Sequence, residues 1–189
     1  MRRQLVFLFA SLCAGCASTS YITPDTVTQY DSKFSDTDLK MVSDKMAQSL
    51  RESAVMQSRE KTVIGLLHVK NRTSEHINTD AVTDKMMIAL LKTGEIKFAG
   101  RENLKTLIEE QRLSQTGMVD QDKVQEIGKL YGIDFFIFGQ LESIEKKGAA
   151  SELTYYRLSL SLTDTETSEI VWADEVELKK KSSKHIMDW

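Results

Sequence analysis

The sequence predicts a single α/β domain of the α+β kind, with a mixed central sheet of about five strands packed by about four helices. Three observations carry this reading. Within 61–100 a β-branched and apolar run, an amphipathic helix and a second short run follow one another, the spacing of one strand–helix–strand crossover. Phe135-Phe136-Ile137-Phe138 is apolar on both sides of the pleat, the pattern of a central strand covered by other layers. Tyr156, Leu158, Leu160 and Leu162 alternate with Tyr155, Arg157, Ser159 and Ser161, the pattern of a strand with one wet face.

The first residues read as an export segment. Arg2 and Arg3 precede the apolar start Leu5-Val6-Phe7-Leu8-Phe9-Ala10, a run too short to span a bilayer. Ala14 and Gly15 stand directly before Cys16, which looks like the processing site of bacterial lipoproteins, although Cys13 holds the position where a consensus site carries Leu. Residues 1–15 are therefore expected to be a signal peptide and Cys16 the lipid attachment. The competing reading is an ordinary signal peptide with two incidental cysteines, which would leave a soluble mature chain. Cys13 and Cys16 are the only thiols, so the processed domain has no disulfide, Cys-based metal site or Cys nucleophile. With three acyl chains, each methylene contributing about 0.8 kcal/mol when buried, anchoring would be effectively permanent. By resemblance to the lipoprotein sorting rule, Ala17 and Ser18 argue for the outer membrane.

Residues 16–34 are the lipidated cysteine and a flexible tether, rich in Ser, Thr, Asp and Tyr, with the only proline at Pro24. Fully extended, it reaches roughly 60 Å; as a coil it averages ~24 Å. The domain is expected over 35–181 and a solvated tail over 182–189. Ser35 or Thr37 caps a first helix with Leu39, Val42, Met46 and Leu50 inside and Asp38, Lys40, Asp44 and Lys45 outside. Residues 51–61 are a polar lead into the strand Thr62–Val69, which Asn71-Arg72-Thr73 ends as a turn. Asn78 or Thr79 opens the next helix, with Val82, Met86, Ala89 and Leu90 on one face and Gly94 closing it. Ile96–Ala99 is the second strand. Leu104, Leu107, Ile108 and Gln111 trace a third helix, which Gly117 breaks. Asp120 caps a fourth with Val124, Ile127 and Tyr131 inside, and Gly132 stops it. Phe135–Phe138, extended by Leu141 and Ile144, is the central strand. A flexible connection at Gly148–Ser151 leads to the alternating strand, a loop at Asp164–Ser168, and a return strand from Ile170 towards Leu178. Lys179-Lys180-Lys181 is expected to be solvated.

Catalytic patterns are missing. The sequence has no HExxH, paired CxxC, GxSxG or phosphate-binding glycine loop. His68 and His76 with Glu75 make a poor metal set, since two unrelated imidazoles at a surface strand end account for them. Glu109 and Glu110 are adjacent on a helix and diverge. The net charge of −3 mixes both signs and does not point to nucleic acid. No enzyme, metal or cofactor is expected.

Val69-Lys70-Asn71-Arg72-Thr73, the helix after it and Lys92-Thr93-Gly94 resemble the penicillin-binding protein activator LpoB family. So do Met41–Met46 and Thr167-Ser168-Glu169-Ile170-Val171-Trp172. The ordered set covers 35–181 behind the same kind of lipoprotein signal. The resemblance implies a fold like the N-terminal domain of TolB, an outer-membrane anchor facing the periplasm, and a monomer that binds a class A penicillin-binding protein, a peptidoglycan synthase, and stimulates it without chemistry of its own. The family's tether is often long and proline-rich; this one is short. Within that reading, Asn71, Arg72, Thr73, Glu75 and His76 are the expected partner-binding residues, between two rigid elements; Asn71 and Thr73 also suit a plain connecting turn. A rival resemblance, through the Asn-Arg-Thr opening and Tyr131-Gly132-Ile133-Asp134-Phe135, is to CsgG-like outer-membrane secretion lipoproteins. These need lipid-facing hairpins, and Arg157, Glu175 and Glu177 sit poorly on such a face.

Overall fold

A computed structural model describes residues 19–27, 31–59, 61–113 and 120–183. The signal segment with Cys16, the break at Gly117 and the tail from residue 184 lie outside them. Along the chain come α1 (Asp36–Glu52), α2 (Ala54–Gln57), β1 (Thr62–Arg72), α3 (Thr79–Leu91), β2 (Ile96–Phe98), α4 (Arg101–Leu113), α5 (Gln121–Tyr131), β3 (Phe135–Lys147), β4 (Ser151–Asp164) and β5 (Ile170–Ser183). The strands form one mixed sheet in the order β2-β1-β3-β4-β5. β1 pairs parallel with β2 and β3, and β3-β4-β5 is an antiparallel meander. The expected crossover and the central place of Phe135–Phe138 are both present.

Local chemistry sets the element ends. Ser35 caps α1 in a reciprocal box with Asp38. Asn78 and Asp120 cap α3 and α5 through their side chains. Gly132, at φ +62°, stops α5 in the left-handed region, and Gly94 at φ +78° turns the chain after α3. Between β4 and β5 the Asp164 carboxylate accepts the N–H of Glu166 (2.8 Å) and of Thr167 (3.0 Å), which fixes the hairpin loop.

The sheet buries two apolar clusters, one on each face. On the first, Ile64, Leu66, Phe135, Ile137, Leu141, Tyr156, Leu158 and Leu160 pack against Val42, Met46 and Leu50 of α1 and Val82, Met86 and Leu90 of α3. On the second, Leu67 and Phe136 pack against Leu104 and Leu107 of α4 and Val124 of α5. The doubly apolar run of β3 is thus explained: Phe135 and Ile137 serve one cluster and Phe136 the other. Gly65 lies beneath the Phe136 ring, where a Cβ would fall 2.4 Å from Cε1. The second cluster covers only one end of its face. From Gln140 onward that face is uncovered by any described helix.

Several expectations are corrected. β1 does not stop at Val69; Asn71 and Arg72 stay paired with Leu141 and Glu142 of β3, so the turn starts at Thr73. The polar lead contains the one-turn helix α2, capped by Ser53. Tyr131 is exposed, and Gly128 takes the inner place on α5. Asp38 faces inward, not to solvent, because β5 runs on through Lys179–Lys181 and delivers a buried Lys180 to it. Ser32, within the segment expected to be tether, is also buried.

Candidate partner-docking site

The loop after β1 is built by two of its own side chains. The Asn71 amide donates to the carbonyls of Glu75 (2.9 Å) and Ile77 (3.2 Å). Its oxygen accepts the Thr73 N–H at 2.9 Å and the Thr73 hydroxyl at 2.8 Å. These bonds satisfy the backbone where the strand ladder ends. Asn71 and Thr73 therefore hold the turn, and their side chains are spent on it.

Glu75 is spent differently. One carboxylate oxygen accepts the Phe34 N–H at 3.2 Å, and the other is hydrogen-bonded to the Tyr156 hydroxyl. The same hydroxyl lies 3.1 Å from the Ser32 carbonyl, and the Phe34 ring meets the Tyr156 ring edge-on at 5.5 Å. Lys180 Nζ donates to Asp38 at 2.6 Å and to the Lys33 carbonyl. Residues 32–35 thus form a strap pinned to the domain by three buried or half-buried groups. Burial, and then the Glu75 carboxylate, push the Tyr156 phenol well above its ordinary range.

His76 is exposed and lines a cavity of about 620 Å³ beside the strap, with Lys33, Asp36, Glu145, Lys147 and Glu152. The Ser74 hydroxyl and then Lys147 hold the Glu145 carboxyl below its usual range. Arg72 lies elsewhere. Its register places it beside Glu142 on the uncovered sheet face. There Arg157 donates to Glu142 at 2.5 and 3.2 Å and reaches Glu175 at 3.7 Å, while the Tyr155 hydroxyl donates to Glu177 at 2.5 Å. Next to this ladder is a groove of about 570 Å³ lined by Lys70, Phe138, Gln140, Ser159, Ser161 and Glu175.

The five residues singled out from sequence therefore serve two surfaces. Asn71, Thr73 and Glu75 build and pin the loop, His76 opens on the strap cavity, and Arg72 on the sheet face. Sequence reasoning missed Tyr156 and Lys180 as strap anchors. The period-2 alternation Val176, Leu178, Lys180 was the available signal for Lys180. The pairing of Glu142 with Arg157 had none, since it depends on register. His68 is not at a strand end; its Nδ1 lies 3.0 Å from Asp80 Oδ1. Among the described residues no cluster of His, Cys, Asp and Glu could hold a metal, and no helix is long and apolar enough to cross a membrane. The β4–β5 hairpin has one face in the core and an ionic ladder on the other.

A family model described as the peptidoglycan-synthase activator LpoB matches residues 38–178. The fold is similar to the LpoB C-terminal domain from Escherichia coli, at 19% identity and a TM-score of 0.55, covering 76% of this chain and 99% of that one. The corresponding Salmonella enterica domain gives 17% identity and a TM-score of 0.55 over the same shares. The solution structure of E. coli LpoB gives 15% identity and a TM-score of 0.52, covering 97% of this chain and 91% of that one. No curated protein sequence matches the chain.

Proposed function

The chain belongs to the LpoB family of peptidoglycan-synthase activators, and from that premise we propose that it binds and activates a class A penicillin-binding protein from an outer-membrane lipid anchor. The observation that carries the reading is the extent of the family match, which runs from within α1 to within β5. The domain itself performs no step of glycan chemistry. It acts by binding the active conformation of the synthase more tightly than the resting one, because equal affinity for both shifts nothing.

The segment 71–77 is the proposed contact. Its backbone is held by Asn71 and Thr73 and its far end by Glu75, so little ordering is left to oppose binding. Arg72 supplies an exposed guanidinium, a planar donor fork suited to a carboxylate on the synthase, and His76 supplies the second exposed contact. The test is activation of the cognate synthase by the purified chain. Arg72→Glu is expected to lower activation at least tenfold, by about 1.4 kcal/mol or more, with thermal unfolding unchanged. Full activation by the folded variant would move the contact away from Arg72.

Cys16 is the proposed acylation site. Palmitate labelling is expected to vanish in Cys16→Ala, and a labelled variant would refute the anchor. Ser32 is buried against the domain and Lys40 of α1 donates to Asp25, so the segment before α1 touches the domain at both residues.

A further inference from the structure

β5 is the outer strand on one side of the sheet; among the described residues it pairs with β4 and with no other strand. Asp174, Glu175, Glu177, Lys179 and Lys181 along it are exposed. A long open edge is a template for another strand, and proteins commonly guard such edges with charge. A guard works by repulsion, for which one sign suffices. On β5 the signs are segregated: Glu175 and Glu177 are followed by Lys179 and Lys181, all four on the same face at every second residue.

That order is self-complementary when the strand meets a copy of itself running the other way. With Leu178 opposite Leu178 of the second copy, Glu177 faces Lys179 and Glu175 faces Lys181, and symmetry repeats both contacts. All four pairs are then of opposite sign, the favourable cross-strand arrangement. A shift of register by one pair sets Glu177 against Glu177 or Lys179 against Lys179. We propose that the β5 edge is a homodimer interface, in which two copies of this chain pair antiparallel through 175–181 and continue the sheet across a two-fold axis.

The edge is ordered in advance. On the core face Lys180 is tied to Asp38 and Asp174 to Ser49, one near each end of α1. Val176 and Leu178 stay in the first cluster, so pairing asks for no repacking. The Glu175 N–H donates to its neighbour Asp174 at 2.8 Å, so at that position the pairing with a second copy rests on the side chains. An interface of one strand pair is small, so the association is weak and concentration-dependent. It is independent of the synthase reading and departs from the monomer that the family resemblance implies.

Sedimentation of the full chain in density-matched detergent tests this, at concentrations up to about 200 μM. A reversible dimer that weakens with salt is expected. Glu175→Lys/Glu177→Lys and Lys179→Glu/Lys181→Glu should each weaken it about tenfold or more, and an equimolar mixture of the two should restore a heterodimer, because all four pairs become complementary again. The second variant touches neither Arg157 nor the Tyr155 contact, so it stands alone if the first is poorly folded. A wild type that stays monomeric overturns the proposal, as does a dimer indifferent to both variants or a mixture that remains monomeric.

Discussion

Charged side chains pair on both faces of the sheet beside β4, and they have opposite fates. Under the strap, Lys180 and Asp38 are 8% and 3% exposed, and each finds its partners within the fold. On the open sheet face, Arg157 and Glu142 are 39% and 31% exposed and pair in contact with water. Each is a cation–carboxylate pair, at 2.6 Å and 2.5 Å. What differs is desolvation. A charge withdrawn from water must keep its partner, whereas an exposed one loses little when the partner goes. The strap pair is therefore committed to the fold, and the ladder remains available to a partner.

The largest effect is expected from removing Lys180. Lys180→Ala leaves the Asp38 carboxylate buried beside its α1 cap and should cost about 3–5 kcal/mol in urea unfolding. A loss below about 1 kcal/mol would place the pair in the same class as the ladder.

Tyr156→Phe is a smaller step on the same side. It removes the hydroxyl shared by Glu75 and Ser32, at an expected cost of about 1–3 kcal/mol near neutral pH. The phenol is held above its ordinary value in the folded state. Its contribution is therefore complete below the unfolded value of about 10 and declines as pH rises beyond that. Stability of the wild type should thus fall more steeply than that of Tyr156→Phe above pH ~10. Parallel slopes would show that the phenol is free to ionise in the fold.

The smallest effect is expected on the open face. Arg157→Ala should change unfolding by no more than about 1 kcal/mol, although it breaks contacts to Glu142 and Glu175. A larger loss would mean that the ladder is structural and not a surface held in reserve.

The local elements follow from short-range patterns in the chain. Apolar spacing of 3.6 and 2, with Ser35, Asn78, Asp120 and Gly132 at the ends, placed helices and strands because caps and amphipathic faces are short-range properties. The doubly apolar Phe135–Phe138 also announced its central position, since a strand buried on both sides has no polar alternation to show. Which charges are buried was decided by the tertiary structure. Lys180 reads as one of three lysines, yet its neighbours Lys179 and Lys181 stay wet while it meets Asp38, a residue far away in the chain. Arg72, the last residue of β1, and His76, in the loop after it, open on two surfaces, because β1 holds its pairing with β3 through Arg72 and the strap then closes over Glu75. Register and long-range burial arise from how strands and helices stack, and no local pattern of residues encodes them.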